Sequence, residues 1–299
     1  MLCAGIAVED FIFRVERFPE PGAKVQAAAL IATPGGCAAN AAVAVARLGG
    51  EARFAGPIGT DEASERFLSG LTRSGVDVSG IVRVDGGSIS VSGIFIDRVG
   101  EKMVATRRGE KLAEARPADA AALVADVEVV MADNRFPDFV HPILEAARRR
   151  AIPAILDGDR AGTPDDALFA IASHVIFSSE ALRATTGRDD LAAGLGVIAE
   201  RARGFLAVTN GPDAVLWCEG PRVERMPVFA VAAVDTLGAG DTFHGAFALA
   251  LAEGQAPLAA MRFAAAAAAL KCTRFGGISG TPGREEVETL LAAGNLGLK

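Results

Sequence analysis

The chain has 299 residues, of which 51% are hydrophobic, and its formal net charge at pH 7 is −7. This length suits one large domain with an extensive core. The acidic balance argues against a nucleic acid as the main partner, because phosphate polymers bind basic surfaces. The four cysteines are scattered without a C-x-x-C pair, which predicts free thiols in a reducing cytoplasm rather than a zinc site or disulfide framework. No stretch has the length of a membrane span or the pattern of a signal peptide, so no membrane partner is expected.

Strands and helices alternate along the chain. Residues 2–8 form an apolar run typical of a buried strand, and residues 11–17 and 24–31 are predicted as strands of a flap that precedes the first helix. The later predictions are helix 37–48, strand 52–58, helix 62–74, a hairpin of strands 90–97 and 102–107, helix 117–125, strand 127–132, helix 139–150, strand 152–157, helix 165–172, strand 174–177, helix 191–203, strands 205–209 and 214–217, and helices 257–274 and 284–293.

This order predicts an α/β fold. Strands that are continuous apolar runs, each followed by a helix, form a mostly parallel sheet covered on both faces, giving three layers. No linker separates two cores, so residues 1–299 are predicted to form a single domain with lid strands at about 11–33 and 88–108. Ligands in such sheets bind beyond the carboxyl ends of the strands. The polar residues expected at that rim are Asp10, residues 133–135, 157–159 and 209–211, and Asp241.

The most informative stretch covers residues 231–252, VAAVDTLGAGDTFHGAFALALA. Its turn of Gly238, Ala239 and Gly240 precedes an apolar helical pattern, so the turn's N–H groups and the positive end of the helix dipole can converge on one anion. Asp241 follows directly, and a carboxylate is a poor ligand for that anion. A general base that takes a proton from a hydroxyl attacking a phosphoryl group fits Asp241 well. The alternative is a simple turn with Asp241 as the helix N-cap.

A second glycine turn, G-G-C-A-A-N, covers residues 35–40. Gly35 and Gly36 would let a ligand approach the backbone closely, and the Asn40 amide, within the first helical turn, could bind sugar hydroxyls. By itself the pattern also fits a tight turn into an alanine-rich helix. Asp10 ends the string G-I-A-V-E-D directly after the first predicted strand.

The two glycine strings together resemble the ribokinase-like, or PfkB, family of carbohydrate kinases. D-T-x-G-A-G-D-x-F-x-G at residues 235–245 is similar to its C-terminal signature, and G-G-x-x-A-N with A-x-x-x-A-R-L-G is similar to its N-terminal one. The resemblance covers essentially the whole chain and implies a ribokinase-like fold. It implies that Asp241 is the catalytic base and that the Gly238–Gly240 amides form the anion hole. It also implies that the sugar is held by Asp10, Gly35, Gly36 and Asn40.

The same resemblance implies that the kinase uses ATP and Mg²⁺ and leaves activation by K⁺ open. The nucleotide would lie against T-x-G at Thr209 and Gly211, the segment T-R-F-G-G that ends at Gly277, and the start of the C-terminal signature at Asp235 and Thr236. The family's N-x-x-E segment, tied to magnesium, departs here to F-S-S-E-A. The candidate metal ligand in this segment is Glu180, which is not aligned with the Glu of the family's N-x-x-E pattern.

Two basic residues bear on the chemical class of the sugar acceptor. Several stretches, among them V-V-M-A-D-N-R-F and A-A-L-K-C-T-R, are similar to 6-deoxy-6-sulfofructose kinases of this family. The similarity implies that Lys24 in the flap and Arg135 at the rim contact a sulfonate, and Thr106 stands where those enzymes have an Asn. A guanidinium there would favour an anionic sugar. The alternative is that both are solvated surface charges.

Several function classes remain open. The first is a kinase that phosphorylates a primary hydroxyl of a monosaccharide or sugar acid, such as 6-deoxy-6-sulfofructose. The alternatives are a neutral-sugar kinase of the ribokinase or ketohexokinase type, a nucleoside kinase in which Phe11 and Phe13 stack a base, and a non-catalytic sugar-binding regulator. An NAD-dependent dehydrogenase would need a G-x-G-x-x-G after the first strand, which is absent. A homodimer through the lid strands is expected, because unpaired strand edges seek partners.

Overall fold

The computed structural model describes residues 1–202 and 204–294. The strands are β1 (Leu2–Ala4), β2 (Val8–Arg14), β3 (Ala29–Gly35), β4 (Arg53–Ala55), β5 (Pro57–Ile58), β6 (Val82–Arg83), β7 (Ser90–Ile96), β8 (Lys102–Arg107), β9 (Val130–Asp133), β10 (Ala154–Gly158), β11 (His174–Ser178), β12 (Phe205–Thr209), β13 (Val215–Cys218) and β14 (Glu224–Met226). The helices are α1 (Cys37–Arg47), α2 (Glu62–Arg73), α3 (Ala120–Leu123), α4 (Pro137–Arg149), α5 (Ala167–Ile171), α6 (Ser179–Thr186), α7 (Leu191–Ala199), α8 (Ala239–Ala252), α9 (Pro257–Cys272) and α10 (Arg284–Ala293), with a 3₁₀ turn at Gly277–Gly280.

Eight strands form the central sheet in the order β14-β13-β12-β11-β10-β9-β1-β4. The six strands from β12 to β4 are parallel, and β13 and β14 add an antiparallel edge. The parallel strands are apolar runs such as FLAVT in β12, which is the composition of a strand buried on both faces. The carboxyl ends of the parallel strands therefore meet at one rim, where the predicted polar residues collect.

Successive residues of each strand enter opposite cores. Cys3 and Met131 pack with α1, α8 and α9 on one face, whereas Leu2 and Val130 pack with α4 and α7 on the other. Because side chains alternate along a strand, one apolar run supplies both layers. The predicted α/β fold with a mostly parallel sheet in three layers is confirmed.

A separate four-stranded sheet in the order β3-β2-β7-β8 lies over the rim. We call it the small sheet. Ile12, Ile94 and Ile96 on its inner face are buried together, and Leu237 and Phe275 pack against them. Leu237 stands one residue before the Gly238 turn, so the small sheet rests on the loop that leads to Asp241.

Some predicted boundaries were wrong. Strand 24–31 begins only at Ala29 and runs on to Gly35, because β2 ends at Arg14, the residue that pairs with Ala29. Predicted strand 52–58 is divided into β4 and β5 at Gly56, where the backbone passes so close to Gly5 that a Cβ would lie 2.3 Å from its carbonyl oxygen.

Two strands and one helix were not predicted. Strand β6 has only two residues, and the short edge strand β14 has no strong apolar pattern. Helix α6 begins at an N-cap, Ser178, whose hydroxyl accepts from the Ala181 N–H, and ends at Gly187 in the left-handed conformation. These two signals could have identified it. Helix α7 ends at Ala199, and position 203, the predicted end of that helix, lies outside the described residues.

The four cysteines are unpaired, as the sequence predicts. Within the two described ranges, no helix combines the length and the apolar character needed to cross a bilayer.

Candidate active site

Asp241 lies in the first turn of α8 and receives a hydrogen bond from the side-chain amide of Asn40 in α1, with 2.7 Å between Nδ2 and Oδ2. Burial raises the pKa of Asp241 to about 6, and this bond opposes the rise. A carboxylate with that pKa is deprotonated at pH 7 yet basic enough to accept a proton. The remaining polar atom of Asn40, Oδ1, is buried without a partner among the described residues, so it can still bind a ligand hydroxyl. The structure thus joins residues of the two glycine motifs, 201 positions apart, in one contact.

The turn before Asp241 has the form of an anion cradle. Gly238 is the N-cap of α8 with φ of 77°, a left-handed conformation that favours glycine. In the described part of the chain, no acceptor contacts the backbone N–H groups of Gly240 and Asp241. Gly240 is exposed, and a Cβ there would meet open space. Free N–H groups at the start of a fourteen-residue helix suit a phosphoryl group.

The side chain of Asp10 packs closely against the Gly35-Gly36 turn. A Cβ on Gly35 would lie 2.0 Å from Asp10 Oδ2, and a Cβ on Gly36, whose φ is 98°, would lie 2.4 Å from the carbonyl oxygen of Ile6. Burial raises the pKa of Asp10 to about 6, and a hydrogen bond with Ser92 opposes the rise. Both glycines are therefore needed to bring the start of α1 against the start of β2.

Three further groups lie behind the turn. The sequence placed Asp133 and Asp157 at the rim without a specific role, and it favoured a structural role for His244. The imidazole of His244 donates from Nδ1 to the carbonyl of Gly240 at 2.8 Å, and its Nε2 lies 3.6 Å from Asp157 Oδ1. Burial lowers the pKa of His244 and raises that of Asp157 well above its usual range, with repulsion from Asp159 adding to the latter. The pair therefore supports the Gly240 turn without a full ionic interaction. The four-residue spacing of His244 from Gly240 was the available signal.

Asp133, at the end of β9, holds the backbone of the rim. Its carboxylate accepts N–H bonds from Ile6 at 2.8 Å, Ala38 at 3.2 Å and Arg135 at 3.0 Å. Burial raises its pKa, and these three bonds oppose the rise. Because the Asp133 carboxylate accepts these three bonds, it fixes the loop after β1 and the start of α1 relative to β9.

One group among the described residues has the spacing of a metal site. Ligand atoms of Cys37, Asp157 and Asp241 lie within 4.8 Å of one another. Mg²⁺ prefers oxygen ligands, so the two carboxylates suit it and the thiol does not. Glu180, the metal candidate from the sequence, is exposed in the first turn of α6 and is not part of this group.

The residues predicted to bind the nucleotide are of two kinds. Thr209, Gly211 and Thr236 are at least partly accessible at strand ends and in the approach to α8. Asp235 and Gly277 are buried, and the N–H of Gly277 donates to Asp235 Oδ2 at 2.9 Å. The first set can contact a ligand directly, whereas the Asp235 carboxylate faces the protein.

The two basic candidates differ in their surroundings. Arg135 lies at the rim after β9, its side chain 33% exposed, and pairs with Asp159 at 2.5 Å. Lys24 is exposed in the segment between β2 and β3, beyond the paired part of the small sheet. Arg135 therefore stands at the rim beside Asp159, while a contact of Lys24 with the substrate stays a prediction from the resemblance.

Comparison with known proteins extends this picture. The model of the pfkB family of carbohydrate kinases matches residues 1–284. The ribokinase of Bacillus subtilis (strain 168) is 29% identical over 299 residues, covering 95% of this chain and 96% of that protein. A solved structure from Agrobacterium tumefaciens, named as a candidate ribokinase, has a TM-score of 0.94 at 40% identity and covers 98% of this chain and 97% of its own. The Arabidopsis thaliana ribokinase complexed with ribose and ATP has a TM-score of 0.83 at 25% identity and covers 97% of both chains.

These matches span both glycine motifs, the central sheet and the small sheet. The family resemblance read from the two motifs is confirmed, as is the ribokinase-like fold. The chain therefore belongs to the pfkB family of carbohydrate kinases, phosphotransferases whose acceptor is a hydroxyl group.

Proposed function

We propose that this protein is an ATP-dependent sugar kinase that transfers the γ-phosphate to a primary hydroxyl of a monosaccharide or sugar acid. The observation that carries the proposal is the geometry at the start of α8. The half-buried carboxylate of Asp241, with its pKa raised to about 6, stands directly beside free N–H groups of the Gly240 turn. A base and an anion cradle in one turn supply the two things that phosphoryl transfer to a hydroxyl requires.

The acceptor is held between α1 and the small sheet. Asp10 and the free Oδ1 of Asn40 accept hydrogen bonds from sugar hydroxyls, and the Gly35-Gly36 turn lets the ring approach the backbone. Asp241 takes the proton from the attacking hydroxyl while the N–H groups of the turn stabilise charge on the moving phosphoryl group. Placement of the two reactants supplies much of the rate.

The small sheet acts as the lid in this proposal. Its inner isoleucines already pack on Leu237, so closing over the sugar and ordering the turn before Asp241 are mechanically linked. Closure excludes water, which would otherwise compete as the acceptor.

Thr209, Gly211 and Thr236 would contact the nucleotide. Mg²⁺ would be held by one or two carboxylates together with phosphate oxygens and waters, and Asp157 can supply a carboxylate while Asp241 stays free as the base. The ion would neutralise charge on the phosphates. Glu180 remains a candidate for this role on the family resemblance alone.

The experiment that tests the proposal is the variant Asp241→Asn. Removing the base should lower kcat by about 10²–10⁴-fold. Sugar binding should be retained, because the Asn side chain can still accept from Asn40. Asp85→Asn, the same exchange at an exposed carboxylate between β6 and β7, is the matched control. ADP release in a coupled assay gives the rates, and a kcat near that of the unaltered enzyme would sink the assignment of Asp241.

An anionic acceptor such as 6-deoxy-6-sulfofructose is the finer part of the proposal. It is supported by Arg135, whose guanidinium lies at the rim and makes its ion pair with a half-exposed partner, Asp159. A sulfonate, phosphate or carboxylate of the substrate could exchange with that partner. The ribokinases among the relatives favour the competing candidate, a neutral sugar such as ribose.

A nucleoside acceptor and a non-catalytic regulator are weaker candidates. Phe13 stacks on Phe95 at 5.3 Å within the small sheet, so it is already partnered and less suited to stack a base. The intact base and anion cradle argue against an idle binding protein.

A homodimer through the small sheet and a cytoplasmic location complete the proposal. Leu30, Phe13, Phe95 and Met103 face one another across all four strands on the outer face. Leu30 and Met103 are 56% and 47% exposed, respectively. Such a row would be covered by the same row of a second copy. The unpaired cysteines support a reducing compartment.

A further inference from the structure

Lys271, near the end of α9, is a lysine whose side chain is completely buried. Its side chain is 0% exposed, and its Nζ donates to the main-chain oxygen of Asp235 at 2.7 Å. The same nitrogen lies 3.3 Å from Asp235 Oδ2. Lysines are almost never fully buried unless they are paired, because removing an ammonium from water is costly. Burial lowers the pKa of Lys271, and the charge of Asp235 opposes that effect.

The carboxylate of Asp235 is a junction between two loops. Oδ1 accepts from the N–H of Leu237 at 2.8 Å, and Oδ2 accepts from the N–H groups of Gly276 and Gly277 at 2.9 Å each. The N–H groups of Val234 and Asp235 in turn donate to the carbonyl of Cys272, the residue after Lys271. The approach to α8 is thus tied to the end of α9 and to the turn that follows it.

The junction lies directly behind the anion cradle. Asp235 precedes Gly238 by three residues and Asp241 by six. On the other side, a Cβ on Gly238 would lie 3.4 Å from the backbone nitrogen of Ile278, so the cradle packs on the 3₁₀ turn that Asp235 holds. A shift of the Asp235 carboxylate would therefore move both walls of the cradle.

We propose that Lys271 is a positioning residue, a built-in cation that neutralises Asp235 and so sets the anion cradle for phosphoryl transfer. The proposal rests on the kinase function argued above. A fixed ammonium at this point leaves no uncompensated charge for an exchangeable monovalent ion, so K⁺, which the sequence leaves open as an activator, is not needed. Without the ammonium, a small cation should be able to enter the space and restore the arrangement.

The experiment compares the unaltered enzyme with Lys271→Ala in chloride salts of K⁺, NH₄⁺, methylammonium and choline at constant ionic strength. The unaltered enzyme should have the same kcat in all four. In choline, Lys271→Ala should lose about 100-fold in kcat, the order of effect expected for a small misplacement, with little change in sugar KM. K⁺ or the small ammonium ions should recover about tenfold or more of that loss. Arg262→Ala removes an exposed cation from the same helix and should show neither loss nor rescue.

A readout besides activity keeps this test separate from the assignment of function. The midpoint of thermal unfolding of Lys271→Ala should rise in K⁺ or NH₄⁺ relative to choline, while that of the unaltered chain should not. If no acceptor is phosphorylated by the unaltered chain, the proposed function fails and the melting curves still decide the role of Lys271.

Four outcomes overturn the proposal. One is strong activation of the unaltered enzyme by K⁺ over choline. Another is a Lys271→Ala variant with normal kcat in choline. The third is a variant that no small cation improves in rate or in melting temperature, which would make Lys271 a purely structural residue. A variant that folds only when NH₄⁺ or K⁺ is present supports the proposal, and one that folds in none of the salts contradicts it.

Discussion

Two carboxylates of the proposed sugar site, Asp10 and Asp241, share an environment that favours their protonated forms. Burial raises both pKa values from 3.8 to about 6. In a kinase each is needed as the anion, one to bind hydroxyls and one to accept a proton. Activity should therefore be gained as pH rises through about 6 and lost below it.

The expected profile of kcat/KM is flat above about pH 7 and falls with a slope approaching two below about pH 5.5, because two protons inactivate the free enzyme. Asp10→Asn should lower kcat/KM throughout and reduce the limiting slope to one. The measurement is initial rate at subsaturating sugar in a buffer of constant ionic strength. A rate that is unchanged down to pH 5 would contradict both assignments.

Folding stability should change with pH in the opposite direction. Between 3.8 and about 6 the folded state binds more protons at these two sites than the unfolded chain, so their contribution to stability falls as pH rises through that window. At neutral pH the two ionised carboxylates therefore lower the folding stability, and the proposed activity requires them in that form.

Arg135 carries the prediction for substrate class. With fructose, fructose 6-phosphate, 6-deoxy-6-sulfofructose, 2-keto-3-deoxygluconate, ribose and adenosine as acceptors, we expect an anionic sugar to have the highest kcat/KM. Arg135→Ala should lower that value by about 10–100-fold and leave the neutral sugars nearly unchanged, since one charge-assisted contact is lost. ADP release measures both. Preference for a neutral sugar would leave the kinase chemistry intact and reduce Arg135 to a surface ion pair with Asp159.

At the scale of elements, the junction of β3 and α1 decides whether the cleft exists. Gly35→Ala would place a Cβ about 2 Å from the Asp10 carboxylate, which must then move away from the sugar. We expect the KM for the acceptor to rise by about tenfold or more, with a smaller change in the KM for ATP.

Gly196→Ala in α7 is the matched control, because a Cβ there meets open space. The same substitution in a helix should be neutral or slightly stabilising. Equal effects of the two variants on sugar KM would show that Gly35 has no special relation to the acceptor.

For the whole molecule, the exposed apolar row of the small sheet predicts a second copy. The double variant Leu30→Glu with Met103→Glu should convert a dimer into a monomer, since it places two charges per chain within the interface. Light scattering after size-exclusion chromatography measures the mass. The single variant Leu258→Glu, which changes an exposed leucine on α9, serves as control. If the unaltered chain is already a monomer in this measurement, the proposed dimer is wrong.

The accuracy with which the sequence predicts the bounds of a helix or strand differs between elements. Helix α10 was predicted with its bounds, and the hairpin of β7 and β8 to within one residue, because their apolar periods and glycine or polar ends are local properties. Strand β3 was misplaced by several residues, because its bounds depend on where β2 stops offering hydrogen bonds. Edge strand β14 has little pattern of its own and exists through pairing with β13.

The amino-acid sequence by itself determined the fold class, the two glycine motifs and the family, and it predicted the base, since each depends on residue types at short spacing. Only the tertiary structure decided which distant groups meet: Asn40 with Asp241, His244 with Asp157 behind the turn, and Lys271 with Asp235 beneath it. The physical reason is that burial and charge pairing depend on neighbours brought together by the sheet. A lysine in an alanine-rich helix reads as a surface residue until its surroundings are known.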